Sequence, residues 1–161
     1  MKRYFLLLVL IASTFWVVSN AAMATQLEDL RKKFSLPTHV QLRPFQAPTS
    51  RSGRAAPITV FLEAFDKEKI GLICKFQPRI MDVLMSQLYK HPLQVNGRSL
   101  DLTGIAEGWL APINQSLGHD LVKSVYVIQG ARSVTKGSSS RLPFNASGCT
   151  GIKKIQEQLK R

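Results

Sequence analysis

The chain has 161 residues, of which 22 are Lys or Arg and 10 are Asp or Glu, so its formal net charge is +12. This length suits one domain with its own core and excludes two comfortable ones. The cationic excess favours anionic surroundings, such as lipid headgroups, nucleic acid or an acidic protein surface, although charge that only keeps the protein soluble would look the same.

The first 24 residues have the pattern of a secretory signal peptide. Lys2 and Arg3 precede an uncharged apolar run over residues 4–18, and an A-x-A sequence at residues 22–24 offers a cleavage site. This run is shorter than the roughly 20 residues that a membrane-spanning helix needs. We therefore predict a periplasmic or secreted protein. The alternative is an uncleaved inner-membrane anchor, because no charged residue interrupts the leader after Arg3.

Cleavage changes the size and the expected partners of the chain. The mature protein would keep 137 residues, and the loss of the two leader cations would lower its net charge to +10. An exported chain rarely meets genomic DNA, so we exclude nucleic acid and expect an envelope protein or an anionic envelope surface as partner.

Two cysteines, Cys74 and Cys149, occur in the whole sequence. Export would place them in an oxidising compartment, where one intramolecular disulfide is the simplest use of an even count. Metal binding is less favoured, because no second Cys or His lies at ligand spacing.

After the leader, residues 25–56 are rich in Pro, Ser and Arg and show little periodicity, which predicts an extended basic linker. Residues 57–132 are predicted to form an α/β domain. Residues 133–161 read as a loop and a basic C-terminal tail, whose last part, TGIKKIQEQLKR, has the spacing of a terminal helix.

Within the domain, ITVFLEAF from Ile58 is apolar on both faces and predicts a strand covered by helices, and IGLICKF predicts a second short strand that Cys74 would end. A helix should then begin at Pro78. Asn96-Gly97 predicts a tight turn.

The stretch DLTGIAEGWLAPINQSLG is helical in its spacing. We expect Asp101 to cap it, Gly118 to end it, and Pro112 either to kink it or to separate two short helices. SVYVIQGARSV is the clearest later strand. The predicted fold is α/β (α+β), a small single domain with a mixed sheet packed by two or three helices.

No catalytic constellation is recognisable in the sequence. The serines at 138–140 lack a G-x-S-x-G frame, and the three histidines, His39, His91 and His119, are far apart in the chain. The carboxylates that could form a glycosidase-type pair are Glu63, Asp82, Asp101 and Glu107. We therefore predict that the chain is not an enzyme and carries no cofactor.

Three short sequence patterns within roughly residues 57–132 consist of Pro78, Arg79, Ile80 and Asp82; Ile113, Asn114 and Leu117; and Val122, Val125 and Tyr126. Together they resemble the periplasmic domain of FliL, a family of flagellar basal-body proteins. The resemblance implies a compact, stomatin-like domain that forms rings around the stator units of the flagellar motor and has no catalytic residues. FliL-like proteins keep an N-terminal membrane helix and usually lack this cysteine pair.

Two functional hypotheses follow from the sequence. The first is a non-enzymatic exported module that binds an envelope protein partner, such as the flagellar stator or basal body, or that assembles as a homo-oligomer. The second is a basic module that binds a membrane, wall polymer or lipopolysaccharide through cationic side chains. The candidates for this contact are Arg43, Arg51, Arg54, Lys153, Lys154, Lys160 and Arg161.

Overall fold

The structure, a computed structural model, describes residues 36–51, 54–132 and 142–159 and has a mixed α+β fold, as predicted. The predicted leader lies outside the described residues. The strands are His39–Gln41 (β1), Phe45–Pro48 (β2), Ala55–Ala64 (β3), Gln94–Asn96 (β4), Ser99–Asp101 (β5), Val122–Gln129 (β6) and Ala146–Gly148 (β7). The helices are Ile70–Lys75 (α1), Gln77–Lys90 (α2), Ile105–Leu117 (α3) and Cys149–Leu159 (α4), and a 3-10 turn covers Lys67–Lys69.

Strand β3, which contains the predicted ITVFLEAF strand, is the centre of the sheet. β6 pairs antiparallel with it from Ile58 opposite Gln129 to Ala64 opposite Val122. Ile58 also pairs with Phe45 of β2, so β2 must lie on the side of β3 that β6 leaves open. β1 pairs with the other end of β3 and lies on that same side. β1 and β2 therefore follow one another along a single edge of β3.

The last strand, β7, makes the sheet mixed because it runs parallel to β1, with His39 opposite Ala146. A separate two-stranded hairpin joins β4 to β5 through the turn at Asn96 and Gly97, as the sequence predicted. Gly97 has a φ of 63°, a value that favours glycine.

One face of the sheet carries the helices. Val40, Val60 and Leu62 are fully buried there. The buried helical residues of the same cluster are Ile70, Ile73, Ile80, Leu84, Leu88, Trp109, Ile113, Leu117 and Ile152. All four helices of the described ranges thus contribute to one core.

The opposite face of the sheet is covered by chain rather than by helices. Phe61 is fully buried there, and the ring of Phe144 meets it edge to face at a centroid distance of 5.4 Å. The segment after β6 also turns over this face: Thr59 Oγ1 donates to Gly130 O at 2.7 Å and accepts from Arg132 N–H at 2.9 Å. The prediction that helices cover β3 is confirmed for the first face and wrong for the second, which an aromatic side chain and a loop cover.

The prediction that residues 25–56 are a linker is wrong for the described residues from Leu36 onward. They form β1 and β2, and Val40, Leu42 and Ala47 are fully buried. The prolines are tolerated because of where they lie. Pro44 falls in the break between β1 and β2, and Pro57 lies beyond the end of β6, where its carbonyl accepts from Gly130 N–H at 2.7 Å.

The prediction of a second strand over IGLICKF is also wrong, because this segment is the helix α1. Ile70, Ile73 and Cys74 are its buried residues, and their spacing of three and four places them on one helical face. The β-branched composition that suggested a strand is overridden by this contact with the core.

The two longest helices agree closely with those predicted from the sequence. α2 begins at Gln77 with Pro78 in its first turn, and Gly118 ends α3 with a φ of 72°. Pro112 lies inside α3, which is a single helix. Asp101 does not cap it, because the capping position is Gly104 and Asp101 instead accepts from Thr103 N–H at 3.0 Å.

The described part of the predicted tail, residues 142–159, belongs to the domain. Its helix α4 buries Ile152 completely, and its first residue, Cys149, forms the predicted disulfide with Cys74 of α1 across a Cα distance of 5.4 Å. The tail is therefore held by the β7 ladder, by the core and by a covalent bond.

We predict that loss of this disulfide lowers the free energy of unfolding by about 3 to 5 kcal/mol, because the bond closes a loop between residues 75 positions apart. Urea denaturation of the oxidised protein and of a Cys74→Ala/Cys149→Ala variant measures the difference. Reductant should destabilise the first protein and leave the second unchanged. Equal urea midpoints for the oxidised protein and the variant would contradict the prediction.

Candidate functional site

The outer edge of β6 presents backbone groups that the sheet does not use. Gly130 N–H donates to Pro57 O. In the antiparallel pairing of β3 with β6, this bond shows which residues of β6 direct their backbone groups toward β3. Ser124, Tyr126 and Ile128 therefore direct their backbone groups toward β3, while those of Val125, Val127 and Gln129 point outward. Within the described ranges no strand pairs with this edge.

One end of the edge is closed by a side chain. The amide of Asn114, on α3, donates from Nδ2 to Val122 O at 2.7 Å and accepts from Val122 N–H at 3.0 Å. Asn114 thus occupies the place that a neighbouring strand would take at Val122. The outward groups that follow it, at Val125, Val127 and Gln129, are the ones that a partner could use.

A groove continues from this edge along the flank of α3. Its volume is about 680 Å³, and Glu107, Leu110, Ala111 and Asn114 are among the residues that line it. Asn114 lines the groove and also bonds to Val122, so the groove adjoins the Val122 end of the β6 edge and the two features are neighbours on the surface. We call this surface, made of the outward groups of β6 and the α3 flank, the β6 edge site.

The Gln129 end of the β6 edge site lies beside the hairpin of β4 and β5. Gln129 Oε1 accepts from Leu100 N–H at 2.9 Å, and Gln129 Nε2 lies 3.4 Å from Arg98 O. Arg51 reaches the same hairpin and donates from Nη2 to Gly97 O at 3.3 Å. Two exposed arginine residues, Arg98 and Arg51, therefore lie near this end of the strand.

At the opposite end, Lys123 is neutralised by Glu63. Its Nζ lies 2.9 Å from Glu63 Oε1, and Ser124 Oγ donates to Glu63 Oε2 at 2.6 Å. The hydrogen bond from Ser124, followed by the one from Lys123, lowers the pKa of the Glu63 carboxyl. This cluster holds β6 to β3 and keeps one carboxylate ionised.

The cationic candidates from the sequence are not brought together. Arg43 lines a separate cavity at the start of α4, on which Lys153 and Lys154 are exposed. Arg51 and Arg54 lie beyond β2, and Arg51 is bonded to the β4–β5 hairpin. The remaining two candidates, Lys160 and Arg161, lie outside the described residues.

The buried histidine, His39, is a second feature that could carry chemistry. Its Nδ1 is 2.7 Å from Thr38 Oγ1, and its ring stacks on Phe144 at a centroid distance of 3.9 Å, with Tyr126 at 5.2 Å. Its Nε2 is buried without a hydrogen-bond partner in the described part of the chain. Burial lowers the pKa of this imidazole, whereas the nearby Glu63 opposes the shift.

The arrangement around His39 serves packing better than catalysis. A general base must reach its substrate, and the free nitrogen of His39 lies under Phe144 and away from solvent. The other two histidines, His91 and His119, are exposed and lie on different elements. Across residues 36–51, 54–132 and 142–159, no group of three His, Cys, Asp or Glu side chains is placed to hold a metal ion.

In the same ranges, no helix is both long enough and apolar enough to cross a bilayer. No family model, curated protein or solved structure matched the chain in comparisons with known proteins. The resemblance to FliL therefore stays a prediction.

We predict that Asn114→Ala lowers the free energy of unfolding by about 1 to 3 kcal/mol, because it leaves the buried backbone groups of Val122 without partners. Chemical denaturation measures the change. Gln115→Ala, at the next and exposed position of α3, is the matched control and should have little effect. Equal losses in the two variants would show that Asn114 does not act through Val122.

We also predict that His39 makes the protein less stable as the pH falls from about 7.5 to 5. The folded state favours the neutral imidazole, so the unfolded state binds more protons once the pH drops below the ordinary value of 6.5. His39→Phe should flatten the stability curve in this window, and His91→Phe, at an exposed site, should not. An unchanged slope in His39→Phe would contradict the prediction.

Proposed function

We propose that the chain is a non-enzymatic exported module that binds an envelope protein partner, and that the partner adds an extended strand at the β6 edge site. The observation that carries this proposal is the row of outward N–H and C=O groups at Val125, Val127 and Gln129. Unpaired groups on a strand edge are a ready template for a strand from another chain.

The edge lacks the usual protection against such pairing. Natural proteins block exposed edges with proline, with bulges or with charged side chains. In β6 the charge at Lys123 is paired with Glu63, and the ladder irregularity lies at Glu63 and Ala64, beside the end that Asn114 closes. From Ser124 to Gln129 the strand is regular, contains no proline and carries the half-exposed ring of Tyr126.

Export is supported by the leader pattern in the sequence and by the cysteine pair, which lies at disulfide distance. The flagellar basal body is the partner that the resemblance to FliL suggests. The motif residues Ile80, Ile113, Leu117, Val122 and Val125 are all buried, so they support a shared packing pattern and carry no information about a partner.

Binding to an anionic surface receives less support than binding to a protein. Such binding is strongest when several cations face the same plane. Here Arg43, Lys153 and Lys154 lie near α4, while Arg51 is bonded to the β4–β5 hairpin. The described candidates thus lie in two separate places, near α4 and beyond β2, rather than on one cationic face.

Site-specific crosslinking in the native organism tests the proposal. A photoreactive phenylalanine analogue at position 126, whose native Tyr126 is 40% exposed, should yield one discrete crosslinked product in the envelope fraction. The same analogue in place of Tyr89, which is 72% exposed on α2, is the control and should not yield that product.

The product should persist at high ionic strength, because a packed interface depends on salt mainly through its rate of association. Equal crosslinking from positions 126 and 89, or a product that disappears with salt, would contradict a partner at the β6 edge site.

A further inference from the structure

We infer that the partner of the β6 edge site is a single extended segment with a characteristic side-chain pattern. It carries an apolar side chain at its middle, on the side that faces α3, and carboxylates just beyond the residue that pairs with Gln129. This inference rests on the proposed function and specifies the chemistry of the strand that binds.

The position of α3 favours a lone strand over a second copy of this chain. α3 packs against β6 and overhangs its outer edge, since Asn114 reaches the outward groups of Val122. Strands in a sheet lie about 4.8 Å apart, whereas packed helices need about 8 to 10 Å. Pairing β6 with β6 of a second copy would bring two α3 helices too close together, but a strand without its own helix fits.

The α3 flank accepts an apolar side chain. α3 ends at Leu117 and β6 begins at Val122, so the two elements run in opposite directions past each other. Leu110 lies about 10 Å before the end of α3, which brings it level with the middle of β6. Leu110 and Ala111 line the groove at this level, so the inward residue of the bound strand meets an apolar surface.

The preference for carboxylates comes from the charges around the Gln129 end. Arg98 and Arg51 are exposed at the neighbouring hairpin. Among the described residues, the acidic groups near this end are Asp101, in the hairpin, and Glu107, on the flank of α3. Glu107 lies level with β6 and repels a carboxylate of the partner at that position. Carboxylates of the partner are therefore favoured beyond the end of the strand, toward the hairpin.

The net charge of the chain acts in the same direction. A protein with a net charge of +12, or +10 without the predicted leader, attracts acidic segments over a distance and repels a second copy of itself. Global charge and local charge therefore select the same class of partner.

Nine-residue synthetic peptides of alternating Thr and Val test the inference on the full chain. One peptide carries three Asp at its amino end, for antiparallel pairing, and a second carries them at its carboxyl end, for parallel pairing. Matched peptides have Ser in place of Asp. Binding is followed by the amide NMR shifts of Val125, Val127 and Gln129.

One of the two acidic peptides should bind about tenfold more tightly than its Ser version at low salt, and shift those three amides. Arg98→Gln should reduce this preference, and Arg79→Gln, at an exposed position of α2, should leave it unchanged. Val127→Pro removes one outward N–H and should abolish binding, whereas Val127→Thr should retain it. A peptide N-methylated at its Thr and Val amides gives the same test without altering the protein, and it should not bind.

Three results would overturn the inference: no binding by any peptide, equal binding by Asp and Ser peptides, or concentration-dependent shifts of the β6 amides that accompany a dimer in sedimentation. The crosslink from position 126 separates these failures from failure of the proposed function. If that product forms while the acidic peptides show no preference, a partner binds at the edge but its chemistry differs from the one inferred.

Discussion

The hydrogen bonds on the two sides of β3 determine where every other part of the domain lies. Even-numbered residues bond toward β1 and β2, as when Val60 O accepts from Leu42 N–H at 2.9 Å, and odd-numbered residues bond toward β6. Side chains alternate with the same period, so Leu62 faces the helices while Phe61 and Glu63 face the opposite side. A slip of one residue in the strand pairing would move the core-facing side chains to the opposite face of the sheet. The register of the strands therefore cannot change without disrupting the core.

The chain after β6 completes this arrangement and limits where a partner can bind. It turns over the second face of the sheet through Thr59, and Gln41 donates its side-chain N–H to Arg132 O. Phe144 then stacks on His39, β7 pairs with β1, and the disulfide fixes α4. Within residues 36–51, 54–132 and 142–159 the helices cover one face and the contacts of Thr59 and Phe144 lie on the other, so the outer edge of β6 is an extended surface with unused backbone groups there.

Sequence periodicity predicted the elements whose residues repeat against one face over a sufficient length. β3, β6, α2, α3 and α4 were all predicted, as was the turn at Gly97. Prediction failed for short segments whose conformation depends on tertiary contacts. β1 and β2 have three and four residues with Pro44 between them, and α1 has a β-branched composition that the core nevertheless packs as a helix. In such segments tertiary contacts determine the secondary structure, and a single sequence does not show those contacts.

The β6 edge site was missed for a different reason. Its binding groups are backbone atoms of Val125, Val127 and Gln129, which any residue other than proline would supply, so no motif could mark them. Only the order of the strands shows that β6 is an edge. The sequence did supply Arg51 as a candidate, but for a different partner, an anionic surface. Arg51 lies at the β4–β5 hairpin, apart from Arg43 near α4, so the charge that suggested an anionic surface is also the charge on which the proposed preference for an acidic strand depends.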